Sequence, residues 1–136
     1  MPDSCNVAVL GGGSFGTVIA NIIAGNGNRV RLWLRNESLA EAINSQRQNS
    51  EYLPGYLLHE KLEATSSLAR AVEGVDVVMV AVPSSSFRAV VRELAACIPV
   101  DTLLVSLTKG IEPGGFRLMS EILRQEMPAN PTGVLS

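Results

Sequence analysis

The sequence predicts an α/β fold in which a doubly wound parallel sheet lies between two layers of helices. Short aliphatic runs alternate with stretches of helical periodicity along the chain, the pattern of strand–helix–strand crossovers. The apolar residues are mostly Val, Leu, Ile and Ala, and only 4% of the residues are aromatic, as expected for strands that are buried on both faces. The length of 136 residues suits one domain with a single core.

The first half of the chain predicts three strands. Glycines or turn residues bound each strand, and apolar residues at helical spacing follow it. The predicted elements are the strand Val7–Leu10, a helix from Ser14 with Val18, Ile19, Ile22 and Ile23 on one face, the strand Val30–Leu34, a helix with Leu39, Ala42 and Ile43, the strand Leu62–Thr65 and a short helix Ser67–Val72. Residues 48–62 lack periodicity and contain Pro54 and Gly55, which predicts an unstructured loop.

The second half predicts two further core strands and the start of another. In order, these elements are the strand Val75–Val82, a helix with Phe87, Val90, Val91, Leu94, Ala95 and Ile98 on one face, the strand Thr102–Leu107, a helix with Leu118, Met119, Ile122 and Leu123, and a final run Gly133–Leu135. Right-handed crossovers then place the first strand centrally, in the order 3-2-1-4-5-6. Because a domain seldom ends on the first residues of a core strand, we expect residues 1–136 to be a truncated domain.

Composition and charge exclude several classes of protein. The net charge is −2 with scattered basic residues, which does not favour nucleic-acid binding. Cys5, Cys97 and His59 are too few and too widely spaced to predict a metal site. The first residues contain neither a signal peptide nor an apolar run long enough to span a membrane. We therefore expect a cytoplasmic protein with reduced thiols.

A glycine motif joins the first strand to the first helix. Gly11, Gly13 and Gly16 form GxGxxG, in which the first glycine permits a tight turn, the second lets a pyrophosphate approach the backbone, and the third lets the helix lie close to the strand. Backbone N–H groups around Ser14 and Phe15 would then donate to phosphates at the positive end of the helix dipole. In a strand–turn–helix unit, this motif predicts a dinucleotide-binding domain of the Rossmann type.

The end of the second strand bears on the choice of cofactor. An acidic residue there would bind the adenosine ribose and favour NAD, but the run Leu32–Asn36 contains Arg35 instead. A guanidinium can pair with a 2′-phosphate, so Arg35 favours NADP. Glu37, two residues further on, is close enough in sequence to reach the ribose, so NAD use is also compatible with the sequence. The alternative interpretation of Arg35 is a solvated surface charge.

Later strand ends offer two more candidates. Phe87 follows Pro83–Ser86 and suits either core packing or a cofactor contact, while Lys109 follows the fifth strand and could meet a phosphate or polarise a carbonyl. No nucleophile–base pair can be assembled from Ser84–Ser86, Cys97 and His59. His59 is expected to be solvated, and Cys97 to continue an apolar helix face.

Five segments occur in an order that resembles the bacterial NAD(P)-dependent glycerol-3-phosphate dehydrogenases. They are Gly11-Gly12-Gly13-Ser14-Phe15-Gly16-Thr17, Leu32-Trp33-Leu34-Arg35, Tyr52-Leu53-Pro54-Gly55, Val82-Pro83-Ser84 and Leu107-Thr108-Lys109-Gly110-Ile111-Glu112. The resemblance extends over essentially the whole chain. The Tyr-Leu-Pro-Gly and Thr-Lys-Gly stretches are far more specific than the glycine motif.

The resemblance implies reduction of dihydroxyacetone phosphate to sn-glycerol 3-phosphate for phospholipid synthesis. By that similarity Ser14, Phe15 and Arg35 contact the cofactor, Phe87 lies near the nicotinamide, and Lys109 contacts both cofactor and substrate. The family's catalytic lysine belongs to a second, helical domain, so no catalytic residue is expected within this chain. A homodimer is left open.

Two other functions remain open on the sequence alone. One is a stand-alone module that senses NAD(P) without turnover. The other is a different dehydrogenase with the same first domain, such as a hydroxyacyl-CoA enzyme, although the Tyr-Leu-Pro-Gly and Thr-Lys-Gly pairing disfavours it.

Overall fold

A computed structural model describes residues 4–135 as a six-stranded, wholly parallel sheet with helices on both faces. The strand order is β3-β2-β1-β4-β5-β6, which confirms both the predicted class and the predicted order. The elements are β1 (Asn6–Leu10), α1 (Ser14–Gly25), β2 (Arg29–Trp33), α2 (Glu37–Gln46), β3 (Leu62–Thr65), α3 (Leu68–Val72), β4 (Val77–Val80), α4 (Ser84–Ala95), β5 (Leu103–Ser106), α5 (Met119–Glu126) and β6 (Thr132–Val134).

The central strand β1 divides the core into two halves. Val7 and Val9 face one side of the sheet and pack with α1 and α2, whereas Ala8 and Leu10 face the other side and pack with α3, α4 and α5. In β1, residues 7–10 are buried on both faces, which explains why this strand appears as an uninterrupted aliphatic run. Val7 pairs with Val30 of β2 and with Val77 of β4. The carboxyl ends of these strands therefore lie at one edge of the sheet.

Several predicted boundaries shift inward. The run predicted as Val75–Val82 is a strand only over Val77–Val80, because β1 offers pairing partners only from Val7 to Leu10. The fifth strand is likewise Leu103–Ser106. Leu118 precedes α5 as its N-terminal cap and is exposed. Cys97 lies beyond the end of α4 and is exposed, so it does not continue the apolar face of that helix.

The predicted apolar face of α1 is only partly correct, because Ile23 packs against the core but Ile22 does not. The helix buries its small residues Gly16, Thr17, Ala20 and Ala24 against the sheet, while Ile22 is 54% exposed. A Cβ on Gly16 would collide with the carbonyl oxygen of Gly11. The helix axis is therefore so close to β1 that only small side chains fit between them.

The segment predicted as an unstructured loop is instead a compact Ω-type loop over residues 47–58, here called the 47–58 loop. Its ends meet, because the Leu58 N–H donates to the Arg47 carbonyl at 2.7 Å. Leu58 and Asn49 are buried. His59 is half-buried, and its Nδ1 accepts a hydrogen bond from the Lys61 N–H.

Among residues 4–135, none of the helices combines the length and the apolar character that a membrane-spanning helix needs.

Candidate functional site

A cleft of about 610 Å³ opens at the carboxyl ends of β1, β2, β4 and β5. This is the edge at which open α/β sheets bind ligands, and the volume is in the range of ligand sites in proteins. Its lining residues are Gly11, Gly12, Gly13, Trp33, Leu34, Arg35, Asn36, Leu39, Glu51, Tyr52, Ala81, Val82, Pro83, Ser84, Ser86, Thr108 and Lys109. Of the residues predicted for the site, the structure brings Gly11, Gly13, Arg35 and Lys109 to this cleft.

The three motif glycines meet different surroundings. Gly11 has φ +123°, and a Cβ there would lie 2.7 Å from the Ala81 carbonyl oxygen. Gly16 is required by the close approach of α1 to the sheet. Gly13 differs, because its φ is −71° and an added Cβ would meet nothing within 4 Å. The fold itself therefore requires glycine at positions 11 and 16 but not at position 13.

The amino end of α1 borders the cleft. Its N-cap is Gly13, which has no side chain to accept a hydrogen bond from the first turn, and that turn contains no acidic residue. The positive end of the helix dipole is therefore not neutralised by a side chain of this helix. The Ser14 Oγ donates to the Tyr52 carbonyl at 2.7 Å and thus joins α1 to the 47–58 loop. The Phe15 side chain is 52% exposed and is not among the cleft-lining residues.

Arg35 lies at the end of the cleft formed by β2. Its guanidinium carbon is 5.1 Å from the centroid of the Trp33 ring, within the range of a cation–π contact. Asn36 accepts a hydrogen bond from the Leu39 N–H at 3.1 Å and so caps α2. Glu37, the residue that kept NAD open, is exposed in the first turn of α2 and does not line the cleft.

The opposite end of the cleft is formed by the ends of β4 and β5. The Thr108 Oγ1 donates to the Val82 carbonyl at 2.6 Å and joins the two strand ends. Lys109 follows as an exposed cation in the cleft, and it makes no ion pair with residues 4–135. Phe87 is fully buried in the core formed with α4, which is the packing alternative stated for it. No histidine is among the described residues that line the cleft.

Sequence reasoning missed the contribution of the 47–58 loop. Glu51 and Tyr52 line the cleft, and Asn49 is completely buried beneath the glycine motif. The Tyr52–Gly55 stretch was the available signal, but without periodicity it gave no reason to place the loop against the site.

Comparison with known proteins identifies the family. Residues 6–136 match the family described as NAD-dependent glycerol-3-phosphate dehydrogenase N-terminus. The chain belongs to this family. The glycerol-3-phosphate dehydrogenase (NAD(P)+) of Teredinibacter turnerae is 54% identical over all 136 residues of the chain, which correspond to 40% of that protein. The enzyme of the same name from Saccharophagus degradans is 51% identical, again over the whole chain and 38% of its own length.

Solved structures agree with the family assignment. The crystal structure of glycerol-3-phosphate dehydrogenase from Coxiella burnetii superposes with a TM-score of 0.91 at 33% identity, covering 98% of this chain and 41% of that one. More distant structures, such as a D-mandelate dehydrogenase at 18% identity and a TM-score of 0.69, show the shared fold alone. The chain thus spans about 40% of the length of its curated relatives, and the family resemblance stated from the sequence is confirmed.

Proposed function

We propose that this chain is the cofactor-binding part of an NAD(P)-dependent glycerol-3-phosphate dehydrogenase, which reduces dihydroxyacetone phosphate to sn-glycerol 3-phosphate for glycerophospholipid synthesis. Two relatives of that name, 54% and 51% identical over the whole chain, support the activity. The same match disfavours a hydroxyacyl-CoA enzyme. The exposed thiols of Cys5 and Cys97 are consistent with the cytoplasm.

The structural observation that carries the cofactor-binding part of the proposal is the open space at Gly13. A glycine costs conformational entropy on folding, and neither the backbone angle nor the packing requires one at this position. Gly13 lines the cleft at the amino end of α1, and a Cβ there would meet no atom within 4 Å. A pyrophosphate that approaches the backbone there would account for the glycine.

The residues present fit a dinucleotide. The amino end of α1 and the glycine motif would bind the pyrophosphate through backbone N–H groups, and Arg35 would pair with a 2′-phosphate, which favours NADP over NAD without excluding NAD. At the far end, Lys109 would contact both cofactor and substrate, as the resemblance implies, and its charge suits it to meet a phosphate or to polarise a carbonyl. The nicotinamide, when bound, supplies the hydride. The proton would come from the lysine of the family's helical domain. The residues of this chain would therefore bind and orient the cofactor and the substrate.

Replacing Gly13 with alanine tests the proposal. The free energy of unfolding should change by no more than about 1 kcal/mol, because alanine is compatible with φ −71° and meets no atom. NADPH affinity should fall by about tenfold or more, since the methyl group occupies the space of the pyrophosphate. Trp33, the only tryptophan, lines the cleft and reports binding through its fluorescence.

Gly25→Ala is the matched control, because Gly25 ends the same helix and an added Cβ there also meets nothing within 4 Å. This variant should bind NADPH as the wild type does. Equal affinities of the wild type and Gly13→Ala would contradict the role given to Gly13, and no NADPH or NADH binding by the wild type would contradict the proposed function.

A further inference from the structure

Asn49 makes the most completely buried polar contact near the cleft. Its side chain is fully buried, and the Nδ2 group donates to the Gly12 carbonyl at 2.9 Å and to the Thr17 Oγ1 at 3.0 Å. Its Oδ1 accepts from the Tyr52 N–H at 3.2 Å. These contacts determine the orientation of the amide, because a flipped amide would place its oxygen against the Gly12 carbonyl oxygen.

The hydrogen bonds of Asn49 join segments that are distant in the chain. Asn49 belongs to the 47–58 loop, Gly12 to the glycine motif and Thr17 to the buried face of α1. A second contact reinforces the junction, because the Ser14 Oγ donates to the Tyr52 carbonyl. The Thr17 Oγ1 also donates to the Gly12 carbonyl at 3.3 Å. The Gly12 carbonyl is therefore held from two sides, on the inner face of the glycine motif.

The planarity of the peptide bond links the orientation of the Gly12 carbonyl to that of the Gly13 N–H. In a planar trans peptide the C=O of one residue and the N–H of the next point in opposite directions, and the structure contains no cis peptide among the described residues. A Gly12 carbonyl held toward Asn49 and Thr17 directs the Gly13 N–H away from them. Gly13 lines the cleft, and within residues 4–135 its N–H donates to no backbone acceptor.

We propose that Asn49 is a positioning residue for the pyrophosphate of the dinucleotide: it holds the Gly12 carbonyl inward and thereby presents the Gly13 N–H to the cleft. This inference rests on the proposed function. Asn49 touches no ligand itself. It acts by removing the rotational freedom of the Gly12–Gly13 peptide, which two glycines would otherwise leave large, so that the donor is already oriented when the anion arrives.

The test compares two ligands on Asn49→Leu, which keeps the approximate size of the side chain and removes all three hydrogen bonds. NADPH carries a pyrophosphate, whereas adenosine 2′-monophosphate has only the phosphate expected to meet Arg35. NADPH affinity should fall by about tenfold or more, and that of adenosine 2′-monophosphate should change by less than about twofold. If the role of Asn49 were merely structural, the substitution would weaken the binding of both ligands to the same extent.

Asn130→Leu is the matched control. The Asn130 Nδ2 also donates to two carbonyls, those of Pro99 and Thr102 at 2.9 and 3.0 Å, but it lies at the edge of the sheet opposite the cleft. This variant should lower the thermal unfolding temperature and leave NADPH affinity within about twofold of wild type. If Asn49→Leu does not fold, Thr17→Val provides the test, because it removes the second donor to the Gly12 carbonyl and should also weaken NADPH selectively.

The outcomes are distinct. Selective loss of NADPH binding supports the role of Asn49. Equal loss of both ligands, or unchanged NADPH binding in a folded Asn49→Leu, overturns it while the proposed function stands. Absence of NADPH and NADH binding by the wild type overturns the proposed function, and this inference with it.

Discussion

Arg35 occupies the position at the end of β2 where an acidic residue would bind the ribose of NAD. In the structure its guanidinium lies over the Trp33 ring and lines the cleft. Stacking on an aromatic ring restricts the side chain before a ligand arrives, and this reduces the entropy lost on binding. We propose that this guanidinium reads a 2′-phosphate, and the alternative for the exposed Arg35 is a solvated surface charge.

Reversing this charge should separate the two cofactors. In Arg35→Asp the charge-assisted pair is lost and a repulsive carboxylate is added, so NADPH binding should weaken by about 2–4 kcal/mol while NADH binding changes much less. Titration of each cofactor followed by Trp33 fluorescence measures both affinities. Arg29→Asp serves as the control, because Arg29 is an exposed arginine at the other end of β2. Equal losses for NADPH and NADH would show that Arg35 does not read the phosphate.

At the scale of elements, an ion-pair network links α4, α5 and the segment that follows Lys109. The Arg88 side chain, 22% exposed, pairs with Glu112 and with Glu126 at 2.5 Å each, and it donates to the Gln125 Oε1 at 2.8 Å. A hydrogen bond from Arg88 lowers the pKa of Glu112. Hydrogen bonds from Arg92 and then Arg88 lower the pKa of Glu126. Because Glu112 lies three residues beyond Lys109, the network restrains the segment that carries this lysine.

The network predicts a pH-dependent stability. Both glutamates have a lower pKa in the folded chain than their ordinary value near 4.5, so the unfolded chain binds more protons in that range. The stabilisation is fully present above about pH 5 and is lost as the pH falls through the lowered values. In Arg88→Met the unfolding temperature should be lower at pH 7 and depend less on pH below 5.

Thermal unfolding followed by circular dichroism from pH 7 to pH 3 measures this dependence. The control is Arg92→Met. Arg92 is 65% exposed and forms its ion pair with Glu126, so this substitution should change the unfolding temperature and its pH dependence less than Arg88→Met does. The same steep acid dependence in Arg88→Met and wild type would show that other carboxylates control acid unfolding.

At the scale of the whole molecule, the cleft provides groups suited to binding a ligand. Backbone N–H groups, Arg35 and Lys109 line it, without a histidine or a paired nucleophile among the described residues. The curated relatives are more than twice as long as this chain. We expect residues 1–136 on their own to bind dinucleotide without turnover, because the family resemblance implies that the proton donor and the wall that encloses the substrate belong to a helical domain.

An absorbance assay with NADPH and dihydroxyacetone phosphate measures turnover, with the full-length Teredinibacter turnerae enzyme as positive control. The chain should bind NADPH and show no oxidation of it. Turnover at an ordinary enzymatic rate, about 1–1,000 per second, would show that the catalytic residues lie within these 136 residues.

Local patterns were sufficient for the strand order, the three layers and the place of the glycine motif. Alternating aliphatic and amphipathic runs, together with right-handed crossovers, leave few other topologies, and a strand–glycine–helix junction specifies its own geometry. The buried face of α1 could not be read in this way. Its large residues Ile19 and Ile22 suggested an inward face, whereas the close approach that Gly16 permits places small residues inward.

The 47–58 loop escaped sequence reasoning for a related reason. It has no periodicity, and its order comes from hydrogen bonds of Asn49 to residues 37 and 32 positions away. Phe87 was ambiguous between core and cofactor until α4 packed against the sheet and buried it. Contacts between distant segments depend on how the elements are placed in three dimensions. The sequence pattern within one segment does not indicate which other segment it will contact. Local spacing therefore predicts the elements and their order, while packing determines which side chains reach the cleft.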